Sequence, residues 1–132
     1  MSYNLNNLFD AQDDVGKDDK AYLPIELKNN NDHIMGCLQV NNSKWRNECL
    51  FLDWSEEVVQ KKISNISDLL ISMGESQPDI IAIQEIENLN VLLMLLTKKE
   101  ALGYTDFALI QGENYKMTVS YTHLTLPTSD LV

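Results

Sequence analysis

The chain's clearest candidate for chemistry is Glu85, and the reason is its neighbourhood. It stands near the end of Pro78-Asp79-Ile80-Ile81-Ala82-Ile83-Gln84-Glu85-Ile86-Glu87-Asn88. That run begins at a proline, passes through unbroken apolar residues and turns polar at Gln84. Continuous apolarity without alternation is the pattern of a strand buried on both faces. Ligands gather at the carboxyl ends of such strands in α/β sheets. A carboxylate there is costly unless compensated, and a hard divalent cation with oxygen ligands is one compensator. On its own, however, the stretch reads more simply as a strand running into a polar turn, with Glu85 opening the turn.

A second segment adds weight: Tyr3-Asn4-Leu5-Asn6-Asn7-Leu8-Phe9-Asp10. Taken together, the two segments resemble the endonuclease/exonuclease/phosphatase family of metal-dependent phosphoesterases. That family opens with a pattern like Asn-Val-Glu-Asn-Leu-Phe-Asp and later carries one like Pro-Asp-Ile-Ile-x-x-Gln-Glu-Val-Glu-Asn. Order and intervening helix also agree. The resemblance implies the N-terminal half of a four-layer α/β sandwich, with a two-sheet core and outer helices, incomplete here.

It also implies roles. Glu85 matches the family's metal-binding glutamate, and one carboxylate with waters and substrate phosphate suits Mg²⁺ or Mn²⁺. Asn4 matches an asparagine whose amide positions metal and phosphate without adding charge. Catalytic weight thus falls on Asn4 and Glu85, and the metal set is Glu85, Asn4 and Asn6. Asn6 stands where relatives often carry Glu or Asp, which removes a carboxylate. Glu87 and Asn88 read as helix caps rather than ligands. The family's water-activating base and phosphate-contacting histidines belong to its second half, and residues 103–117 supply none of them. The expected function is that of a nuclease-like phosphodiesterase fragment, itself inactive, with a phosphate ester or nucleic acid as partner. The alternative is a noncatalytic interaction protein keeping the fold with a degenerate site.

Composition bounds these readings. With 132 residues the chain can form one domain with a modest core. A net charge of -10 gives no long-range attraction to nucleic acid and argues against a passive basic DNA-binding module. Cations can reverse the local field, so a nuclease stays open. Cys37 and Cys49 lack metal-site spacing. They read as free thiols, or as a disulfide if the protein is exported. No leader precedes Tyr3 and no apolar run spans a bilayer. The expectation is therefore a cytoplasmic protein, or an exported one whose leader lies upstream.

The elements that must position the motifs follow from periodicity. Residues 2–5 read as a strand and residues 6–19 as a loop. Asp10, Asp13, Asp14, Asp18 and Asp19 lie in that loop without EF-hand spacing, which reads as a solvated acidic surface. Residues 21–53 are hard to read. They offer a short strand at 37–40, a solvated His33, and Trp45 and Trp54 as packing anchors. Residues 53–73 are the clearest helix, with Asp53 and Glu56 as a capping box and a stripe of Val59, Ile63, Ile66, Leu70 and Met73. Gly74 ends it. Residues 79–84 are the central strand. Residues 89–102 are a second helix, buried through Leu89, Leu92, Leu93 and Leu96, and 104–110 another strand. Strands 2–5, 79–84 and 106–110 should be neighbours.

Residues 119–132 stand apart. Residues 119–128 follow, codon for codon, GTC TCT TAT ACA CAT CTG ACG CTG CCG ACG, and so resemble a translated transposon-end sequencing adapter. The domain is accordingly read as residues 1–118. The tail, including His123, is expected to pack poorly and to play no part in fold or site.

Overall fold

The structure, a computed structural model, describes residues 1–97, 103–104, 106–111 and 118–123. It is mixed α/β with a small open sheet and falls into two units, residues 1–8 with 61–132, and residues 9–60. Among the described residues, no helix is long and apolar enough to cross a membrane.

The first unit is built on four strands: β1 (Ser2–Leu8), β2 (Ile80–Ile86), β3 (Asp106–Gln111) and β4 (Thr118–His123). Their order is β1-β2-β4-β3. β1 and β2 run parallel, with Ser2 opposite Ala82 and Asn4 opposite Gln84, and the N-terminal amine donates to Ile80 O at 2.8 Å. A parallel pair needs a long crossover, and residues 9–79 supply it. β2 is interior, as its sequence implies, but it is buried on one face only. Ile81, Ile83 and Ile86 are buried while Ile80 is 51% exposed. An apolar run does not reveal how many faces are covered.

β4 is the larger departure. It lies between β2 and β3 and pairs antiparallel with both. β2 and β3 are therefore not neighbours, and part of the segment expected to stand apart is in the sheet. The reason is local. Val119, Tyr121 and Thr122 favour extended backbone, and one edge of β2 offers unpaired N–H and C=O groups to any such strand. Residues 124–132 lie outside the described residues.

The long helix α3 (Glu56–Ser72) has the expected stripe: Val59, Ile63, Ile66 and Leu70 are buried, and Met73 beyond it is half-buried. Its cap is not Asp53. Val58 N–H donates to Ser55 Oγ at 3.3 Å, and Asp53 Oδ1 accepts from Ile25 N–H at 3.0 Å instead. Gly74 follows the helix with φ +54, the left-handed conformation that glycine adopts freely. α4 (Leu89–Thr97) is capped by Asn88, whose Oδ1 accepts from Val91 N–H at 3.0 Å. It buries Val91, Leu92 and Leu95 and leaves Leu89 and Leu93 exposed, so its apolar face is rotated from the predicted one. With seven apolar side chains in nine residues, periodicity alone cannot choose the face. The proposed extension of this helix to 102 lies outside the described residues.

The second unit contains two helices where the sequence offered loop and a short strand: α1 (Asn31–Leu38) and α2 (Ser43–Phe51). Asn30 and Asn42 cap them through His33 N–H and Trp45 N–H. Asparagines that read as loop are thus helix starts. Cys37 and Cys49 form a disulfide between the two helices, Cα to Cα 5.6 Å, so neither is a free thiol. Lys28 is buried, and its ammonium donates to the carbonyls of Ala21, Glu48 and Leu52. Tyr22 stacks face to face on Phe9 and meets Trp54 edge to face, and Trp54 Nε1 donates to Phe9 O at 3.0 Å. Trp45 is 63% exposed, so it is not the buried packing anchor expected of it.

Candidate functional site

The parallel pairing brings the carboxyl ends of β1 and β2 to one end of the sheet, and both strands break their regularity there. Between Asn4 and Leu8 the register shifts, so four residues of β1 span what two residues span in β2, from Gln84 to Ile86. Asn6 (φ 53), Asn7 (φ 63) and Glu85 (φ 60) all adopt the left-handed conformation. Each strand thereby slips its alternation by one position. Leu5 and Leu8 are both buried, as are Ile83 and Ile86. Without the extra residues, Leu8 and Ile86 would point to the other face.

Asparagine tolerates left-handed backbone because its short amide bonds locally. Here Asn4 Oδ1 accepts from Asn6 N–H at 2.7 Å. Glutamate has no such help, and its left-handed conformation costs roughly 1–2 kcal/mol. Strain of this kind persists only where the surroundings over-determine it, and it clusters at functional positions. Two contacts hold the turn. Asn7 N–H donates to Glu85 Oε2 at 3.1 Å, and Lys62 Nζ of α3 donates to Asn7 O at 3.1 Å and to Asn6 O. Burial pushes the Lys62 amine below the usual lysine value, and the negative charge of Glu85 partly offsets this.

The structure therefore brings Asn4, Asn6 and Glu85 to one end of adjacent strands, with Asn4 opposite Gln84 in register. Lys62 and Asn7 complete the cluster. Asn7 lay inside the motif without a role. Lys62 had only a faint signal, since it flanks the α3 stripe three residues after Val59 and four before Ile66. Glu87 is not a helix cap: it is buried, and its N–H continues the strand pairing to Leu8 O at 3.0 Å.

The donor set fits a hydrated divalent cation in part. Glu85 is half-exposed, and among the described residues its Oε1 has no hydrogen-bond partner, so one carboxylate oxygen is available. The Asn4 amide oxygen is engaged locally and keeps one lone pair. Lys62 already supplies positive charge beside Glu85. None of the five residues is a histidine, and Glu85 is their only carboxylate.

Two features of the second unit bear on other site readings. His33, Cys37 and Cys49 lie close enough to share a metal ion. But His33 is buried rather than solvated, and its Nε2 lies 2.8 Å from the Cys49 carbonyl, which can only accept. The proton is therefore on Nε2, and the disulfide removes both thiolates. A recess of about 410 Å³ is lined by Lys17, Lys20, Gly36 and Cys49 among others, none of them a motif residue. Comparison of the chain with family models, curated proteins and solved structures gave no match.

Proposed function

We propose that the end of β1 and β2 is a phosphoesterase site of the endonuclease/exonuclease/phosphatase kind, with Glu85 as ligand of a hydrated Mg²⁺ or Mn²⁺. The observation that carries this reading is the strained, left-handed Glu85 with a carboxylate oxygen to spare, set where two parallel strands end. A bound cation there would polarise a phosphoryl oxygen and offset charge developing on it.

The chain's own residues do the rest of the binding. Asn7 N–H orients the Glu85 carboxylate, and Asn4 braces the Asn6–Asn7 turn through the Asn6 amide. Lys62 fixes the same turn from α3 and adds positive charge suited to a phosphate. Asn6 contributes a neutral amide where relatives of the resembled family often carry a carboxylate. Water activation falls to groups outside this cluster, so binding precedes turnover as the readout. The substrate class is a phosphodiester, including nucleic acid, and the sheet with its outer helices corresponds to the first half of a four-layer sandwich.

Lys62 favours a second reading, a noncatalytic interaction protein in which the ammonium replaces the cation as partner of Glu85. Calorimetric titration with MnCl₂ and MgCl₂ separates the two. The phosphoesterase reading expects a site that Glu85→Gln abolishes. No Glu85-dependent binding, even in Lys62→Met, would leave only the interaction protein.

A further inference from the structure

The disulfide that withdraws Cys37 and Cys49 from metal binding is a reversible bond. His33 and Cys37 lie one turn apart on α1 and share a face, and Cys49 meets them from α2. His33 Nε2 is 3.2 Å from Cys37 Sγ, and one ligand atom from each of the three residues lies within 4.8 Å of the others. All three residues are buried. The set holds two sulfurs and an imidazole and no carboxylate. Such soft to borderline donors suit zinc rather than the oxygen-seeking Mg²⁺ or Ca²⁺.

Contacts other than the sulfur bridge hold the two helices in place. The Lys28 ammonium ties the carbonyls of Glu48 and Leu52, at the end of α2, to that of Ala21. Arg46 Nη1 of α2 donates at 3.2 Å to Val40 O, just past α1. Asn30 and Asn42 cap the helix starts. Reduction leaves all of these intact. On tetrahedral zinc with Zn–S bonds of about 2.3 Å, two thiolates sit about 3.8 Å apart. Rotation about the Cα–Cβ bonds reaches that separation from a Cα–Cα distance of 5.6 Å.

We propose that the reduced chain holds one zinc ion on Cys37, Cys49 and His33, a site that the disulfide closes. A dithiol reductant supplies two electrons and two protons, leaves as its own disulfide, and turns Cys37 and Cys49 into thiols. Zinc then displaces both thiol protons to solvent. His33 exchanges its Nε2 proton for one on Nδ1, which frees the Nε2 lone pair for the metal and takes a donor from the Cys49 carbonyl. The fourth position falls to water, because Cys49 lines the recess of about 410 Å³ beside Lys17, Lys20 and Gly36. Three protein ligands and one open position are the pattern of a zinc site with an exchangeable ligand. The site shares no residue with Glu85 and does not rest on the phosphoesterase reading.

The test reduces the full chain with a phosphine, which takes its oxygen from water, desalts it without oxygen and titrates it with Co²⁺. A thiolate-to-cobalt charge-transfer band reports sulfur ligation and is silent for a carboxylate site such as Glu85. The band should saturate at one thiolate-bound Co²⁺ per chain, zinc should bleach it, and the disulfide form should show none. His33→Gln keeps a donor for the Cys49 carbonyl but loses the metal-binding nitrogen, and it should weaken Co²⁺ at least about tenfold. Glu85→Gln should leave the band unchanged. Far-UV circular dichroism follows α1 and α2; if reduction melts them, one equivalent of zinc should restore them, because metal binding and folding are coupled. No charge-transfer band in the reduced chain, folded or unfolded, overturns the proposal, and so does an affinity unchanged in His33→Gln.

Discussion

Replacing Asp19 by asparagine should make the protein more stable at neutral pH and leave it unchanged in acid. The carboxyl titrates at 3.8 in the unfolded chain and at about 6 when folded, chiefly because burial disfavours its charge. Between those values the folded protein holds a proton that the unfolded chain has released, so stability from this group falls as pH rises through the window. Below 3.8 both states are protonated and the group is neutral to folding. Above about 6 both are ionised and the penalty is constant. At about 1.4 kcal/mol for each pH unit between the two pKa values, the full penalty is at most about 3 kcal/mol. Asp19 Oδ2 accepts from Asp14 N–H at 2.8 Å. Asparagine keeps an oxygen for that donor and carries no charge. Urea unfolding of both proteins from pH 3.5 to 7.5 in chelator isolates the effect, since titrations of groups that do not interact with Asp19 cancel in the difference. The asparagine variant should gain relative to wild type from about pH 4 and level off above about 6. Parallel profiles, or an advantage that shrinks with pH, would refute the reasoning.

Three further outcomes are expected. Lys62→Met leaves the carbonyls of Asn6 and Asn7 without their ammonium and should cost about 1–3 kcal/mol in urea unfolding, with Lys62→Arg recovering part. An unchanged midpoint would mean that the turn does not depend on α3. Reducing the Cys37–Cys49 disulfide, which spans a sequence separation of 12, should cost up to about 3 kcal/mol, read as the shift in urea midpoint with and without a phosphine reductant. Lys28→Met removes the ammonium donor from three backbone carbonyls, two of them at the end of α2, and should cost at least about 2 kcal/mol; a loss below about 0.5 kcal/mol contradicts the assigned role.

What was legible in the sequence was whatever one period dictated. The α3 stripe is spaced for a helix and forms one, and the Ile80–Ile86 run is an interior strand. The face of α4 was not legible, because a nearly all-apolar helix has no weak side to exclude. α1 and α2 were missed for the opposite reason. Their apolar residues are few, and the asparagines that start them are the residues that also make turns. β4 was set aside on the resemblance of its codons, although its side chains favour a strand. At the site, the motifs named Asn4, Asn6 and Glu85, and the parallel pairing of β1 and β2 brings all three to one end of adjacent strands. Residue types could not show that Glu85 is left-handed, since that conformation is imposed by two strands slipping together. Nor could they show that Lys62, on a helix 23 positions earlier in sequence, holds the turn. Asp19 read as solvated because the loop is acidic, yet it is 1% exposed, and burial is not a property of composition.

The central claim is that Glu85 presents a carboxylate oxygen to a divalent cation beside the Asn6–Asn7 turn. The Asn7 amide, hydrogen-bonded to Glu85 Oε2, reports on it directly. Substoichiometric Mn²⁺ added to ¹⁵N-labelled protein should broaden the Asn7 and Glu85 amide resonances, and Glu85→Gln should abolish the effect at both. Asn7 and Glu85 amides that stay sharp at every Mn²⁺ concentration, or that broaden equally in Glu85→Gln, would contradict the account.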